Sequence, residues 1–592
     1  RCALLFLCFV FCSVHAEVLR TCSSEVYCND DILSVVQLSG IFNDSKTFVD
    51  MPIKTSVDAV LSAFQALPSS PSQRDIISFV FDNFEYPGSD VNTWTPNDWS
   101  STPPALAQIL DQQLSDWAYN LNDIWKQLGR TTSAEVQDFP DQHSILPMEH
   151  GFIVPGGRFR EFYYWDTYWI INGLLASSMY ETVDGILQNF VSMLDSFGFI
   201  PNGARIYYSE RTQPPFFTQM VWAYYEVASS SPDFTGSAID ILKDYASSLD
   251  KEYQFWMANR TMSVSVDSTT FVLNHYHAHS NLPRPEGYAE DIQTATEAGI
   301  QDTQSPQQIY RELASGAETG WDFSSRWFSN YENLTDIHTS DLIPVDLNCI
   351  LYKNEITLYH IHSLLNNSQQ AQSYLTAAQN RKNGIEKVLW NDSVGLWVDF
   401  NGTSGVQRSV ATDHFYASSF VPLWANLYWD GLTTGSYSAQ EIESKFLSAI
   451  QTFGMLDYVG GLPTSLLQNT GQQWDFPNGW APLQMFAIRG LPNLGDSGAQ
   501  LAATLASGWL QNNYNGWVAA KQMFEKYNVT STDGVPGEGG EYTVQSGFGW
   551  TNGAIFELLL SYCTKSTCMD GNGNIQVPVI EKLTNQSTKF RY

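Results

Sequence analysis

Basic residues are scarce in this chain: 30 Lys and Arg stand against 62 Asp and Glu, a formal net charge of −32 over 592 residues. A polyanion would be repelled at long range, so neither nucleic acid nor an anionic membrane surface is an expected partner. After residue 16 no apolar run approaches the roughly 20 residues of a membrane span, and the last residues, EKLTNQSTKFRY, are polar. Neither a membrane anchor nor a lipid-anchor tail is therefore expected. A Gly-x-Ser-x-Gly elbow is missing, which removes one family of serine hydrolases. The Gly-rich PGEGGEY lacks the Lys-Ser/Thr of a phosphate loop and carries two carboxylates instead, a composition suited to accepting hydroxyl protons. The ten His and eight Cys never take zinc-ligand spacing, so no metal and no cofactor is expected, and HYHAH (His275–His279) reads as packed or solvent-facing. Alternating strand-type runs are scarce, and linkers, short repeats and low-complexity blocks are absent.

What is present begins with RCALLFLCFVFCSVHAEVL: a positive first residue, an apolar stretch over 3–14 and a small-residue close at Ala16. That is a secretory signal pattern, read here as lacking its first residue or residues and cut near Ala16. Residues 17–592 are then expected to be a soluble extracellular protein. Cys2, Cys8 and Cys12 would leave with the leader. Cys22/Cys28 and Cys563/Cys568 form two close pairs that suggest two small staples, with cross-pairing between the termini left open. Cys349, in an apolar helical pattern, reads as a buried thiol. Sequons stand at Asn43, Asn259, Asn333, Asn366, Asn391, Asn401, Asn528 and Asn585, and with the leader they point to a glycoprotein.

Apolar residues recur at helical spacing: Ile442, Phe446, Ile450 and Phe453; Tyr374, Leu375, Ala378, Ile385 and Leu389; Leu347, Leu351, Leu358 and Ile361. Gly/Pro/aromatic loops recur between them from 155 to 553 without a break in composition. The expectation is an all-α fold, a helical toroid whose loops build one shared face, with a helical solenoid as the fallback. Residues 17–592 are read as a single unit with a short polar tail after about 570.

Nineteen Trp and 14% aromatic residues crowd these loops beside charged and amide side chains. Aromatic plates edged by Arg forks and carboxylates suit a sugar, which offers a C–H face and a rim of hydroxyls. PGGRFREFYYWDTYW (155–169) is built that way, and RTQPPF, RPEGYAED and GAETGWDFSSRW repeat the mixture. Cleaving a glycosidic bond takes one protonated and one ionised carboxyl on opposite sides of the anomeric carbon. Loop carboxylates flanked by Trp and Gly are the candidates: Asp166, Glu286, Glu318, Asp322, Asp475, Glu525 and Glu541.

PGGRFREFYYWDTY (155–168) and QWDFPNGWAP (473–482) resemble the signatures of the trehalases, an inverting glycoside-hydrolase family with an (α/α)6 barrel. ETGWDFSSRW (318–327), PVDLNCILYKNE (344–355), GGEY and GFGWTNG (539–553) agree in order. The resemblance covers about residues 30 to 560, and the acidic form with a leader is similar to secreted insect trehalases of haemolymph or gut lumen. It implies hydrolysis of α,α-trehalose to two glucose molecules, with Asp322 as general acid and Glu525 as general base about 6.5–9.5 Å away. It implies substrate contacts at Arg158, Trp165, Asp166, Asn202, Arg211, Thr212, Gln213, Arg284, Glu286, Gly320 and Glu541. Burial beside Trp321 should raise the Asp322 pKa, and the three arginines should hold Glu525 as the anion. Asp475 is left outside the site, its loop being readable as rim packing. The Asn528 sequon is placed one helical turn from Glu525 and expected to be unused or to point away. The family often has Ser where Thr212 stands and an all-Gly run where Pro536 and Glu538 interrupt; the latter departure is expected to bear on loop closure or pH optimum. A glucoamylase-like α-glucosidase, or a secreted sugar-binding protein without catalysis, are the alternatives.

Overall fold

The stripes read from the sequence fall on helices. The computed structural model describes residues 22–301, 304–409, 414–432 and 435–580, so the leader and Asn585 lie outside the described residues. Ile442, Phe446 and Ile450 are buried on Ala439–Phe453, and Leu347, Leu351, Leu358 and Ile361 on Val345–Leu364.

Helices alternate between two concentric rings. The inner ring is Asp166–Ala176, Phe217–Ser230, Val345–Leu364, Val421–Trp424, Ala481–Gly490 and Gly549–Tyr562, each packed on the next and the last on the first. The outer ring is Gln112–Leu128, Tyr180–Phe197, Ala238–Asn259, Ser368–Gly384, Ala439–Phe453 and Gly495–Ala520. This is an (α/α)6 barrel. Position in the ring explains composition: an inner helix is covered on all sides, an outer one on a single face. Of Gly549–Tyr562 only Ser561 escapes burial, and of Ala481–Gly490 only Arg489. Gln112–Leu128 instead buries Leu114, Trp117, Ala118, Leu121, Trp125 and Leu128, one stripe at helical spacing. The ring closes where Gly553 meets Asp166–Ala176; a Cβ there would stand 1.9 Å from the Trp169 carbonyl oxygen.

A second, smaller apolar cluster gathers Asp30–Gln37, Gln73–Asn83 and Phe48 against Tyr163, Tyr207, Tyr208 and Tyr288. Cys22–Cys28 and Cys563–Cys568 are bonded and Cys349 is a buried free thiol. Among the described residues no helix is long and apolar enough to cross a membrane.

Two local expectations change. Thr261–Val266 and Thr269–Asn274 pair over six positions as an antiparallel hairpin; the first strand, TMSVSV, does alternate polar and apolar residues, and the second does not. Glu525 opens no helix: Lys526–Asn528 is a strand paired with Asn478–Trp480. Asn528 is therefore not one helical turn from Glu525, which lies in the bend just before the strand. Its side-chain oxygen accepts from the Thr530 amide and hydroxyl.

The long loops share one face because each runs into the N-terminus of an inner helix. Trp165, Phe216, Pro344, Trp480 and Phe548 are the residues at which those loops enter their helices.

Candidate active site

At the loop face a cavity enclosing about 710 Å³ of unfilled space, mouth included, is walled by rings and floored by charged side chains. Asp322 stands on the loop after Pro306–Glu318. Gly320 allows that loop to turn: its φ is +76°, and a Cβ would lie 2.7 Å from the Trp165 ring. Trp321 stacks on Trp474 (5.5 Å, 13°), which stacks on Trp480 (3.9 Å, 2°). The two loops are also tied by polar bonds. Buried Asp475 accepts from the hydroxyls of Ser324, Ser325 and Ser465 and from the Ser325 amide, and Gln473 donates to the Asp322 carbonyl at 2.6 Å. Burial, opposed chiefly by Arg284, pushes the Asp322 pKa up to about 7.

Glu525 arrives from another loop and is 2% exposed. Tyr542 donates to its Oε1 at 2.8 Å and the Gln545 amide to its Oε2 at 3.3 Å. Burial raises its pKa, and the largest opposing influence is Lys526. Of the three arginines expected to favour its anion, Arg158 acts in that direction but behind Lys526, Tyr542 and the Gln545 amide. Asp166 opens its helix inside the same cavity, its pKa raised well above the ordinary value by burial and then by Glu525 and Asp322.

The arginines form a rim of forks. Arg211 bonds Asn202 (2.8 Å) and Glu286 (2.5 Å), whose other oxygen, Oε2, is buried without a hydrogen-bond partner among the described residues. Arg284 pairs with Asp291 (2.6 Å) and Glu541 (3.1 Å). Arg158 grips Asp44 through two nitrogens at 2.6 and 2.8 Å and lies over the Tyr542 ring. A ligand rich in hydroxyl groups meets here what it needs: acceptors with a free oxygen, fixed cationic donors and aromatic faces.

The trehalase family model matches residues 40–563. A trehalase of Apis mellifera is 41% identical over 568 residues, 94% of this chain and 87% of its own. The trehalase of Homo sapiens is 40% identical over 554 residues, 92% of this chain and 91% of its own. The chain belongs to the trehalase family. The solved neutral trehalase from Saccharomyces cerevisiae superposes with a TM-score of 0.54 at 26% identity, over 70% of this chain and 73% of that one.

Of the residues that the trehalase resemblance implies, Arg158, Trp165, Asp166, Asn202, Arg211 and Gln213 line the cavity from the first half of the chain. Arg284 and Glu286, and beyond them Gly320, Asp322, Glu525 and Glu541, line it too. Thr212 does not: its hydroxyl donates to the Ile200 carbonyl and its amide to Glu318, so it braces the turn that presents Arg211 and Gln213. Glu318, weighed as a catalytic candidate, is buried against Arg260 with the His277 amide as a further donor. His277 thereby belongs to a packed loop. Asp475 is likewise a clamp. Pro536 and Glu538 lie outside the cavity lining.

Sequence reasoning missed Phe159, Tyr163, Tyr208, Trp474, Trp480, Tyr542, Phe548 and Trp550, which also line the cavity. All stand inside or beside the quoted loops, but nothing in a sequence tells a wall ring from a core ring. It missed Asp44 as well, which meets Arg158 from 114 positions away.

Proposed function

We propose that this glycoside hydrolase of the trehalase family cleaves α,α-trehalose with inversion, Asp322 acting as general acid and Glu525 as general base. The observation that supports it is the pair itself: two deeply set carboxyls from separate loops in one cavity, one with its pKa near 7 and the other tethered by Tyr542 and the Gln545 amide. The protonated Asp322 gives its proton to the bridging oxygen as that C–O bond breaks. Glu525 takes a proton from water as the water oxygen bonds to the anomeric carbon from the opposite side. One glucose leaves with its α-configuration and the other is released as β-glucose, and exchange with solvent resets both carboxyls. Arg211 with Asn202 and Glu286, and Arg284 with Glu541, hold the ring hydroxyls, while Trp165 and Gly320 shape the wall.

The protein acts outside the cell as a glycoprotein, with trehalose as its partner. The leader pattern, the sequons and the two disulfides support this reading. Proton NMR of the fresh products tests the reaction. Equal initial α- and β-glucose from trehalose, absent with Asp322→Asn and not matched on maltose, is the expected result. α-Glucose alone would mean retention and would overturn the two roles.

A further inference from the structure

Lys526 follows Glu525 directly and is fully buried on Lys526–Asn528. A buried ammonium is ordinarily matched by a carboxylate. Here, among the described residues, its hydrogen-bond partners are neutral: Nζ donates to Gln473 Oε1 at 2.8 Å and to the Gly539 carbonyl at 3.0 Å, and it stands 5.2 Å from the Trp480 ring centre. The carboxylates whose fields reach it are those of Glu525 and Asp322.

Those two acceptors sit on two different loops of the site. Gln473 also donates to the Asp322 carbonyl. Gly539 belongs to the Gly-rich loop that carries Glu541 and Tyr542, the latter bonded to Glu525. One ammonium thus joins the base strand, the acid loop and the Gly-rich loop. We propose that Lys526 is a positioning residue for the hydrolysis: a buried cation next to Glu525 in the chain, with neutral hydrogen-bond partners, that leaves its charge to favour the Glu525 carboxylate and ties the Gln473 and Gly539 loops together beside the acid. This rests on the roles given to Asp322 and Glu525.

The charged and titratable groups facing Glu525 are few. Tyr542 donates to it from the Gly-rich loop; Arg158 faces it from the 155–165 loop and is bonded to Asp44; Asp166, whose own pKa is raised by burial and by Glu525, lines the same cavity from its helix. Lys526 is the strongest influence against burial there, and its own pKa, pushed down to about 8, leaves it charged across the acid limb.

The test is the pH profile of kcat/KM for trehalose in Lys526→Met, Lys526→Arg and Gln473→Glu, with Glu525→Gln beside them. Lys526→Met should move the acid limb up by about one pH unit, the lower end of what an opposite charge does at close range. Lys526→Arg should keep it in place. Gln473→Glu, which sets a carboxylate on the ammonium, should also move it up. An acid limb that stands still in Lys526→Met, or moves as far in Lys526→Arg, overturns the proposal; if Lys526→Met does not fold, a still limb in Gln473→Glu does so. Activity retained by Glu525→Gln would instead overturn the choice of base, a failure separate from this one.

Discussion

Asp322 and Arg326 lie four residues apart in one stretch, GWDFSSRW, yet they belong to opposite kinds of site. Arg326 is fully buried between the Trp321 and Trp327 rings, with its fork spent on Asp346 and Asp399 through four bonds of 2.7–2.9 Å. Asp322 faces the cavity, and burial keeps its proton on up to about pH 7. The stretch PGGRFREFYYWDTYW (155–169) divides the same way. Arg158 faces the cavity, while Glu161 accepts from buried Arg205 at 3.0 Å and from Lys46 at 2.8 Å. Identical chemistry is structural where every donor meets an acceptor, and available to a ligand where one is left facing the cavity.

The largest effects should separate the two kinds cleanly. Asp322→Asn and Glu525→Gln should each lower kcat by roughly 10³-fold, within the range of general acid–base catalysis, with KM little changed; steady-state kinetics on trehalose check this. Arg326→Met should do the reverse. Leaving Asp346 and Asp399 buried without their cation should cost about 3–5 kcal/mol in urea unfolding, while whatever folds keeps its turnover per molecule.

The pH dependence of stability sharpens the comparison further. The folded chain holds the Asp322 proton to about pH 7, whereas an unfolded chain releases it near 3.8. The stability this gives is full below about pH 3.8 and is lost as pH rises through 7. Asn carries no such proton, so denaturant melts of Asp322→Asn against the unsubstituted protein should match at low pH and favour the variant increasingly towards pH 8. The smallest effect is expected at the rim. Asp44→Ala frees the Arg158 fork and should raise KM by roughly tenfold, about 1.4 kcal/mol of binding, with kcat much less affected and Asp44→Glu restoring part of the loss.

Much of this was legible in the sequence, for reasons that mark where legibility stops. Ile442, Phe446 and Ile450 declare a helix because a half-buried outer helix must keep its apolar side inward. The loops of the active face declare themselves through Gly, Pro and aromatic density. Composition and spacing alone did not tell Glu318, Asp322 and Asp475 apart; the family resemblance singled out Asp322, and packing shows that Arg260 consumes the first and the 324–325 turn the third. Asp44 on Arg158, and Lys526 against Gln473, depend on which distant loops meet, and no local pattern records that.

The account turns on one proton. Difference infrared titration of the carboxyl band, unsubstituted protein minus Asp322→Asn, reads it directly in the absence of substrate. A single carboxyl titrating near pH 7 is the expected result. A carboxyl that loses its proton in the ordinary aspartate range, near 3.8, would contradict the account, because Asp322 would then have no proton to give at neutral pH.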